Sequence, residues 1–306
     1  MILINEPSDF PGELIAKLTS LGKVFLAGEK YDPNSIKVVF IRLAFKIDTD
    51  FLSNFPNLSH VVSPTTGLNH IDEKETIRRG IKVLSLKGHT AFLENIRATA
   101  EHTLALTLAL LRRVPTASNS VIDGHWNRYL FKGIEISGKN VFLIGYGRVG
   151  AQVAKLFKAF GAKVSAYDCI REKVPHHLYT PLAKGVKSAD IVSIHITFSD
   201  ENRNFVDRSL LEQMSADSIL INTSRGELID QRALIELIES KKIGGAALDV
   251  LSEEPHPLTN YLLDSLSSLK GRLIVTPHIA GYTSESIFQT ENYVVMLLLN
   301  ELMKRN

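Results

Sequence analysis

The sequence predicts an α/β protein built from two doubly wound parallel sheets. Three observations carry that reading. Short apolar runs alternate with amphipathic stretches along nearly the whole chain, the rhythm of strands that pair in parallel beneath covering helices. The run Val141-Phe142-Leu143-Ile144 leads directly into Gly145, Gly147 and Gly150, which is the strand, tight turn and helix start that a dinucleotide-binding βαβ unit requires. Finally, 306 residues at 44% hydrophobic exceed what one core usually serves, so two domains are expected.

Taken in order, strands are expected at 2–4, 23–26, 38–41, 60–63 and 82–84, each a run bearing Val, Ile, Leu or Phe. Helices are expected between them at 12–21, 49–55 and 72–79; Leu14, Ile15, Leu18 and Leu21 recur at helical spacing in the first. This part has no glycine-rich loop of its own. Residues 94–113 read as one long helix whose Leu104, Leu106, Leu108, Leu110 and Leu111 coat more than one side, so it should lie between two packing partners, either the other domain or a second subunit. The second domain then runs through strands 141–144, 163–167, 191–196, 218–222, 244–249 and 273–275, with helices at 151–160, 208–213 and 231–240. An amphipathic helix at 284–304 is expected to fold back onto the first domain. The expected division is therefore 1–100 with 284–306, and 101–283.

Composition excludes several classes. The 35 basic residues are scattered among 33 acidic ones for a net charge of +2, which offers no stripe for a nucleic-acid backbone. One cysteine, Cys169, can neither pair internally nor build a thiolate cluster, so a reducing compartment is expected and a structural metal is not. The opening MILINEPSDF lacks a basic flank and a long apolar region, and the most apolar later stretches are too short to span a bilayer. A cytosolic protein without a membrane partner is expected.

The glycine loop spans Gly145, Tyr146, Gly147, Arg148, Val149 and Gly150. Gly145 permits the turn, Gly147 lets backbone N–H groups approach a pyrophosphate and Gly150 lets the helix lie close to the sheet. Asp168 ends the second strand, where a carboxylate accepts the ribose hydroxyls of NAD and repels the extra phosphate of NADP; the neighbouring Arg171 makes that exclusion less than absolute. Arg148 reads either as facing the pyrophosphate or as a solvated residue of the first helical turn. Other reactive side chains fall after later strands, where ligands of open parallel sheets gather. Arg225, in Asn222-Thr223-Ser224-Arg225-Gly226, is either a turn arginine or a planar fork for a carboxylate. His278, in Thr276-Pro277-His278, is either a loop histidine or an acid–base group, the natural choice near neutral pH. Glu254 can be its carboxylate partner, or part of an ordinary Glu-Pro turn.

At this point the chain resembles the D-isomer-specific 2-hydroxyacid dehydrogenase family over nearly its full length. The matching residues are Gly67 with Asn69-His70-Ile71-Asp72, Asn95, Ala100-Glu101-His102-Thr103, Gly124-His125-Trp126, Gly138-Lys139 and the glycine loop. They continue with Asp190-Ile191-Val192, His195, Asn222 to Gly226, Ala247-Leu248-Asp249-Val250, Glu254-Pro255 and Pro277 to Gly281. The resemblance implies a flavodoxin-like substrate domain beside a Rossmann-like NAD-binding domain. It implies that Arg225 binds the carboxylate and carbonyl of a 2-oxo acid, that His278 donates or removes the proton, and that Glu254 is its partner. It further implies that Asp249 holds the nicotinamide amide, that Thr223, His195 and Gly281 line the cofactor, and that backbone near Gly67 helps hold the carboxylate.

The chain departs from the family pattern at Asn69-His70, where Asp-Asn is usual, at Ile196-Thr197-Phe198, where a proline is common, and at Ala98-Thr99. None of these removes a catalytic group. Glu101-His102-Thr103 leans toward the phosphoglycerate-dehydrogenase-like branch, with Lys87 or Arg97 available to a remote phosphate, and no appended regulatory domain is expected. Glyoxylate, hydroxypyruvate or a sugar acid are the alternative substrates, and a non-catalytic NADH-sensing binding protein is the alternative class. A homodimer is expected, with helix 101–113 helping to form its interface.

Overall fold

A computed structural model describes residues 1–252, 254 and 261–304. The chain divides into two compact units, Met1–Asn95 with Tyr282–Asn306, and Ile96–Gly281. The crossings therefore fall after Asn95 and Gly281, against the expected 100 and 283.

The first unit is a five-stranded sheet of β1 (Ile2–Ile4), β2 (Val24–Leu26), β3 (Val38–Phe40), β4 (His60–Ser63) and β5 (Lys82–Ser85). The order is β2-β1-β3-β4-β5 and every pairing is parallel, which is the flavodoxin-like winding with its switch between β1 and β3. Aspartates start two of its helices: Asp48 accepts the Phe51 N–H before Thr49–Ser53 and Asp72 accepts the Glu75 N–H before Glu73–Arg78, both at 3.0 Å. Leu3, Val39, Ile41, Leu52 and Val61 fill the core on one face. The C-terminal helix Ser284–Met303 belongs to this unit and is capped by Thr283.

One contact of that helix makes stability depend on pH. Glu291 is 1% exposed and takes a 2.7 Å bond from Arg42 Nε. Burial pushes its carboxyl up to about 7, against the pull of Arg42, and Glu6 adds to the rise. A carboxyl that titrates higher in the folded chain favours folding fully below the unfolded value of 4.5, and loses that contribution as pH rises through about 7. The contribution is about 3 kcal/mol. Glu291→Gln should therefore flatten the fall in unfolding free energy between pH 5 and pH 8, as read by denaturant titration at each pH; equal falls in the two proteins would refute this.

The second unit carries β6 (Asn140–Ile144), β7 (Lys163–Tyr167), β8 (Ile191–Ile194), β9 (Ile219–Asn222), β10 (Gly245–Leu248) and β11 (Leu273–Val275). Their order is β11-β10-β9-β8-β6-β7, all parallel. Outside β7 a single parallel bridge joins Ala166 to Tyr179, so the third strand of a Rossmann winding is reduced to one residue. Side chains alternate between the faces: Val141 and Leu143 join one buried cluster, Phe142 and Ile144 the other.

The long helix expected at 94–113 runs unbroken from Ala98 to Leu111, starting four residues later and ending two residues earlier. A short helix Thr90–Leu93 is followed by Ala98–Leu111, because the chain passes from one unit to the other between Asn95 and Ile96. Its far end is set by Arg113, whose φ of 54° reverses the chain, and by Pro115, which lacks an N–H and is tolerated in the first turn of the next helix, Val114–Ile122. Leu106, Leu110 and Leu111 are buried against Val153, Ala154 and Phe157 of helix Arg148–Ala159. Leu104 and Leu108 of the same helix are only partly buried. Among the described residues no helix is long and apolar enough to cross a membrane.

Candidate active site

The glycine loop lies at the β6/β8 switch point. Gly145 has a φ of +101°, and a Cβ there would stand 2.5 Å from the His195 carbonyl oxygen, while one on Gly150 would stand 2.2 Å from the carbonyl oxygen of Gly145. No larger residue fits at either point. Gly147 precedes the first helical residue, Arg148, and no atom lies within 4 Å of where its Cβ would be. The first turn of this helix is therefore made by Arg148, Val149 and Gly150, three residues earlier than propensity alone suggests. Its N–H groups form an anion-binding end.

Asp168 is 8% exposed at the end of β7; Oδ2 accepts the Tyr146 N–H at 3.0 Å and Oδ1 the Ile170 N–H at 2.9 Å. Arg171 donates to the Val174 carbonyl at 2.8 Å and stacks 4.0 Å from the Tyr179 ring centroid. Arg148 sends Nη1 to the Ile96 carbonyl at 3.0 Å, and burial lowers its pKa. At the end of β8, the His195 N–H donates to the Ile144 carbonyl at 2.7 Å and Nε2 meets Ser193 Oγ at 2.9 Å. The residue keeps some open surface, yet Nδ1 is enclosed without a hydrogen-bond partner. Burial pushes the ring down to about 3, so it is neutral. Open space at Gly147, an orphaned polar nitrogen at His195, a helix N-terminus and a carboxylate after β7 together fit a dinucleotide.

Three further strand ends supply charge. After β9, Arg225 is half-buried with extended backbone, and Nη1 donates to the Ser224 carbonyl at 2.7 Å. Burial lowers its pKa, while Glu254 and Glu227 pull the other way; a guanidinium still remains protonated. Thr223 Oγ1 lies 2.9 Å from Thr103 Oγ1.

After β10, Asp249 is fully buried. Burial alone would raise its pKa, but bonds from His102, Thr276 and the N–H groups of Ile279 and Ala280 more than offset this and hold it below the ordinary value. Thr276, Ile279 and Ala280 bond it at 2.5, 2.9 and 2.8 Å, and His102 Nε2 lies at 3.3 Å. Its main-chain carbonyl also accepts the His278 N–H at 2.8 Å. Asp249 therefore holds the turn after β11. That turn bends His278 to a φ of +54°, a left-handed conformation that a bulky side chain adopts only when its surroundings impose it.

His278 Nδ1 is hydrogen-bonded to Glu254 Oε2, both side chains being partly exposed. Glu253 and Pro255 lie outside the described residues. Arg225, Glu254 and His278 thus form one electrostatic group: Glu254 bonds the imidazole and its charge acts on the guanidinium. Gly281 ends this unit, whereas Gly67 lies in the first, its carbonyl accepting Thr65 Oγ1 at 3.0 Å.

Several partners escaped the sequence reading. His102 stands out in the sequence only as part of Glu101-His102-Thr103, and residue type alone does not mark Thr103, Ser193 and Asn222 as braces. A signal existed for Thr103: Thr99, Thr103 and Thr107 recur every fourth residue on a helix that, apart from Glu101 and His102, is otherwise apolar, and Thr103 and Thr107 are fully buried.

Residues 104–280 match the family described as D-isomer specific 2-hydroxyacid dehydrogenase, NAD binding domain. The chain is 34% identical over 252 residues to a hydroxypyruvate reductase of Thermotoga maritima, covering 82% of this chain and 80% of that protein. It is also 34% identical over 254 residues to a D-3-phosphoglycerate dehydrogenase of Archaeoglobus fulgidus, covering 82% of this chain but 46% of that protein. Among solved structures, the TT0316 protein from Thermus thermophilus superposes with a TM-score of 0.81 at 27% identity, over 96% of this chain and 94% of that one.

Proposed function

Starting from a chain that belongs to the D-isomer specific 2-hydroxyacid dehydrogenase family, and is thus an NAD-dependent oxidoreductase of small 2-hydroxy and 2-oxo acids, we propose that Arg225, Glu254 and His278 carry the reaction and that its substrate is a small unphosphorylated acid such as hydroxypyruvate or glyoxylate. The observation that carries the site assignment is the electrostatic group itself, in which one carboxylate, Glu254, serves both the imidazole and the guanidinium.

NAD, when bound, supplies or accepts the hydride at the substrate's C2. The fork of Arg225 grips the carboxylate and steadies negative charge growing on the carbonyl oxygen. Glu254, by holding Nδ1, leaves Nε2 of His278 to deliver the proton in reduction and to remove it in oxidation. Gly145 to Gly150 and the helix N-terminus at Arg148 hold the pyrophosphate, Asp168 the ribose hydroxyls, and Thr223, His195 and Gly281 line the remainder. Asp249 is fully buried with three donors on Oδ1 and one on Oδ2, so its role toward the nicotinamide is carried by the turn it holds at Thr276 to Ala280.

Of the cations expected to meet a remote phosphate, Lys87, after β5, is bonded by Glu73, which favours an uncharged tail over 3-phosphoglycerate. A panel of glyoxylate, pyruvate, hydroxypyruvate and its phosphate ester, each with NADH and NADPH, tests this. Turnover is expected with an unphosphorylated acid and NADH, with NADPH poorer because Asp168 repels its extra phosphate. No turnover on any acid would reject the site assignment, and preference for the phosphate ester would reject the substrate.

The dimer is assigned to helix Val114–Ile122 and the segment after it rather than to helix 101–113. Ile122, Trp126 and Tyr129 are 78, 90 and 87% exposed, a large apolar patch for one chain to leave in water. Sedimentation as a monomer at micromolar concentration would overturn the dimer.

A further inference from the structure

We propose that Asn222 is a positioning residue that sets the aim of the Arg225 guanidinium; this rests on reading Arg225 as the anion clamp. Arg225 has a long side chain, so its fork can be held only if the main chain beneath it is held. Asn222 is the last residue of β9 and is fully buried. Its Oδ1 accepts the Ser224 N–H at 2.9 Å, and its Nδ2 donates to the Arg225 carbonyl at 2.8 Å. One amide side chain thereby brackets the peptide between residues 224 and 225. The carbonyl of that same peptide accepts Arg225 Nη1 at 2.7 Å, so the chain of contacts runs from Asn222 through the peptide to the guanidinium.

The bracket stands on a rigid base. Asn222 is the register partner of Ile194 on β8 and of Leu248 on β10, and its own carbonyl accepts the Asp249 N–H at 2.9 Å. Ser224 Oγ adds a 2.9 Å bond to the Ile194 carbonyl. A side chain fixed in the middle of the sheet thus passes its position to a loop outside it. Without the bracket, the 224–225 peptide can rotate and carry away the carbonyl against which the guanidinium rests.

The test is a double-mutant cycle on the full-length protein, with kcat/KM measured for the best 2-oxo acid of the panel. With Arg225 present, Asn222→Ala should lower kcat/KM by about 10- to 100-fold, as expected for losing buried hydrogen bonds, and chiefly through KM. In an Arg225→Ala background the same change should cost less than about threefold, because the group being aimed is gone. NADH affinity, followed by fluorescence titration, should move less than about threefold throughout. Asn222→Asp is nearly isosteric, keeps the bond from Ser224 and turns an oxygen against the Arg225 carbonyl; it should resemble the alanine variant, and it carries the cycle if that variant does not fold. Equal losses in both backgrounds, or NADH affinity falling in step, would mean a general structural role and overturn the inference. A wild-type protein that turns over no 2-oxo acid would remove the reading of Arg225 and this inference with it, whereas an active wild type with an additive cycle removes the inference alone.

Discussion

Arg225→Ala is expected to lower kcat/KM for a 2-oxo acid by about 30- to several-thousand-fold, the equivalent of about 2–5 kcal/mol. The size follows from where the guanidinium lies. It is half-buried, its pKa is lowered by desolvation, and it is supported by the charges of Glu254 and Glu227. A carboxylate that binds it meets a partner already partly desolvated, so the contact is worth more than a surface ion pair. Truncation leaves Glu254 without that cation and the substrate anion without its fork. Arg225→Lys should recover part of the loss, because a point charge remains while the two parallel bonds do not. Steady-state kinetics with NADH, beside a fluorescence titration of NADH alone, separates the two ligands. Nucleotide affinity should stay near the wild-type value, and an unchanged kcat/KM would end the assignment of Arg225 as the anion clamp.

What could be read from residues alone was decided by local pattern. The switch-point loop was legible because the spacing itself is distinctive: Gly145 and Gly150 are pressed within 2.5 Å of a neighbouring carbonyl oxygen, while Gly147 between them leaves open space. The alternation of strands and helices was legible because parallel strands buried on both faces must be continuously apolar, as Val141 to Ile144 are. The break at 94–97 was not, since nothing in Glu94-Asn95-Ile96-Arg97 forbids a helix; the interruption comes from the passage between units and places the Ile96 carbonyl where Arg148 can bond it. Nor was the vestigial strand at Tyr179, because one residue has no periodicity to detect. Side chains after strands could be nominated at Arg225, Glu254 and His278 because charged groups there are chemically conspicuous. Their supports were hidden. His102 and Thr103 act on side chains that are close only once the sheet is wound, and no spacing in the sequence joins His102 to Asp249; Asn222 acts on residues two and three places on, but nothing in the residue types says that its amide turns back to them.

The second large effect concerns His278, where proton transfer and backbone strain meet. Replacing it by Asn should cut the rate of 2-oxo acid reduction by about 10²- to 10⁴-fold, the usual worth of a positioned general acid, while NADH affinity stays near that of the wild type. Asn is the informative substitution because it tolerates the left-handed backbone that His278 adopts at a φ of +54°. A loss in that variant therefore cannot be charged to a collapsed turn. Glu254→Gln should give a smaller loss, since the amide can still accept from Nδ1 but no longer stabilises an imidazolium between catalytic cycles. His278→Gly separates strain from chemistry. The left-handed conformation suits glycine, and the turn keeps its bonds from main-chain N–H groups of Ile279 and Ala280 to Asp249, so the variant should unfold at a free energy equal to or up to about 1 kcal/mol above the wild type while remaining as inactive as the Asn variant. Such a pair of results would show that the turn is held in a costly shape for the sake of the imidazole it presents. Near wild-type reduction by either variant would remove His278 as the proton donor.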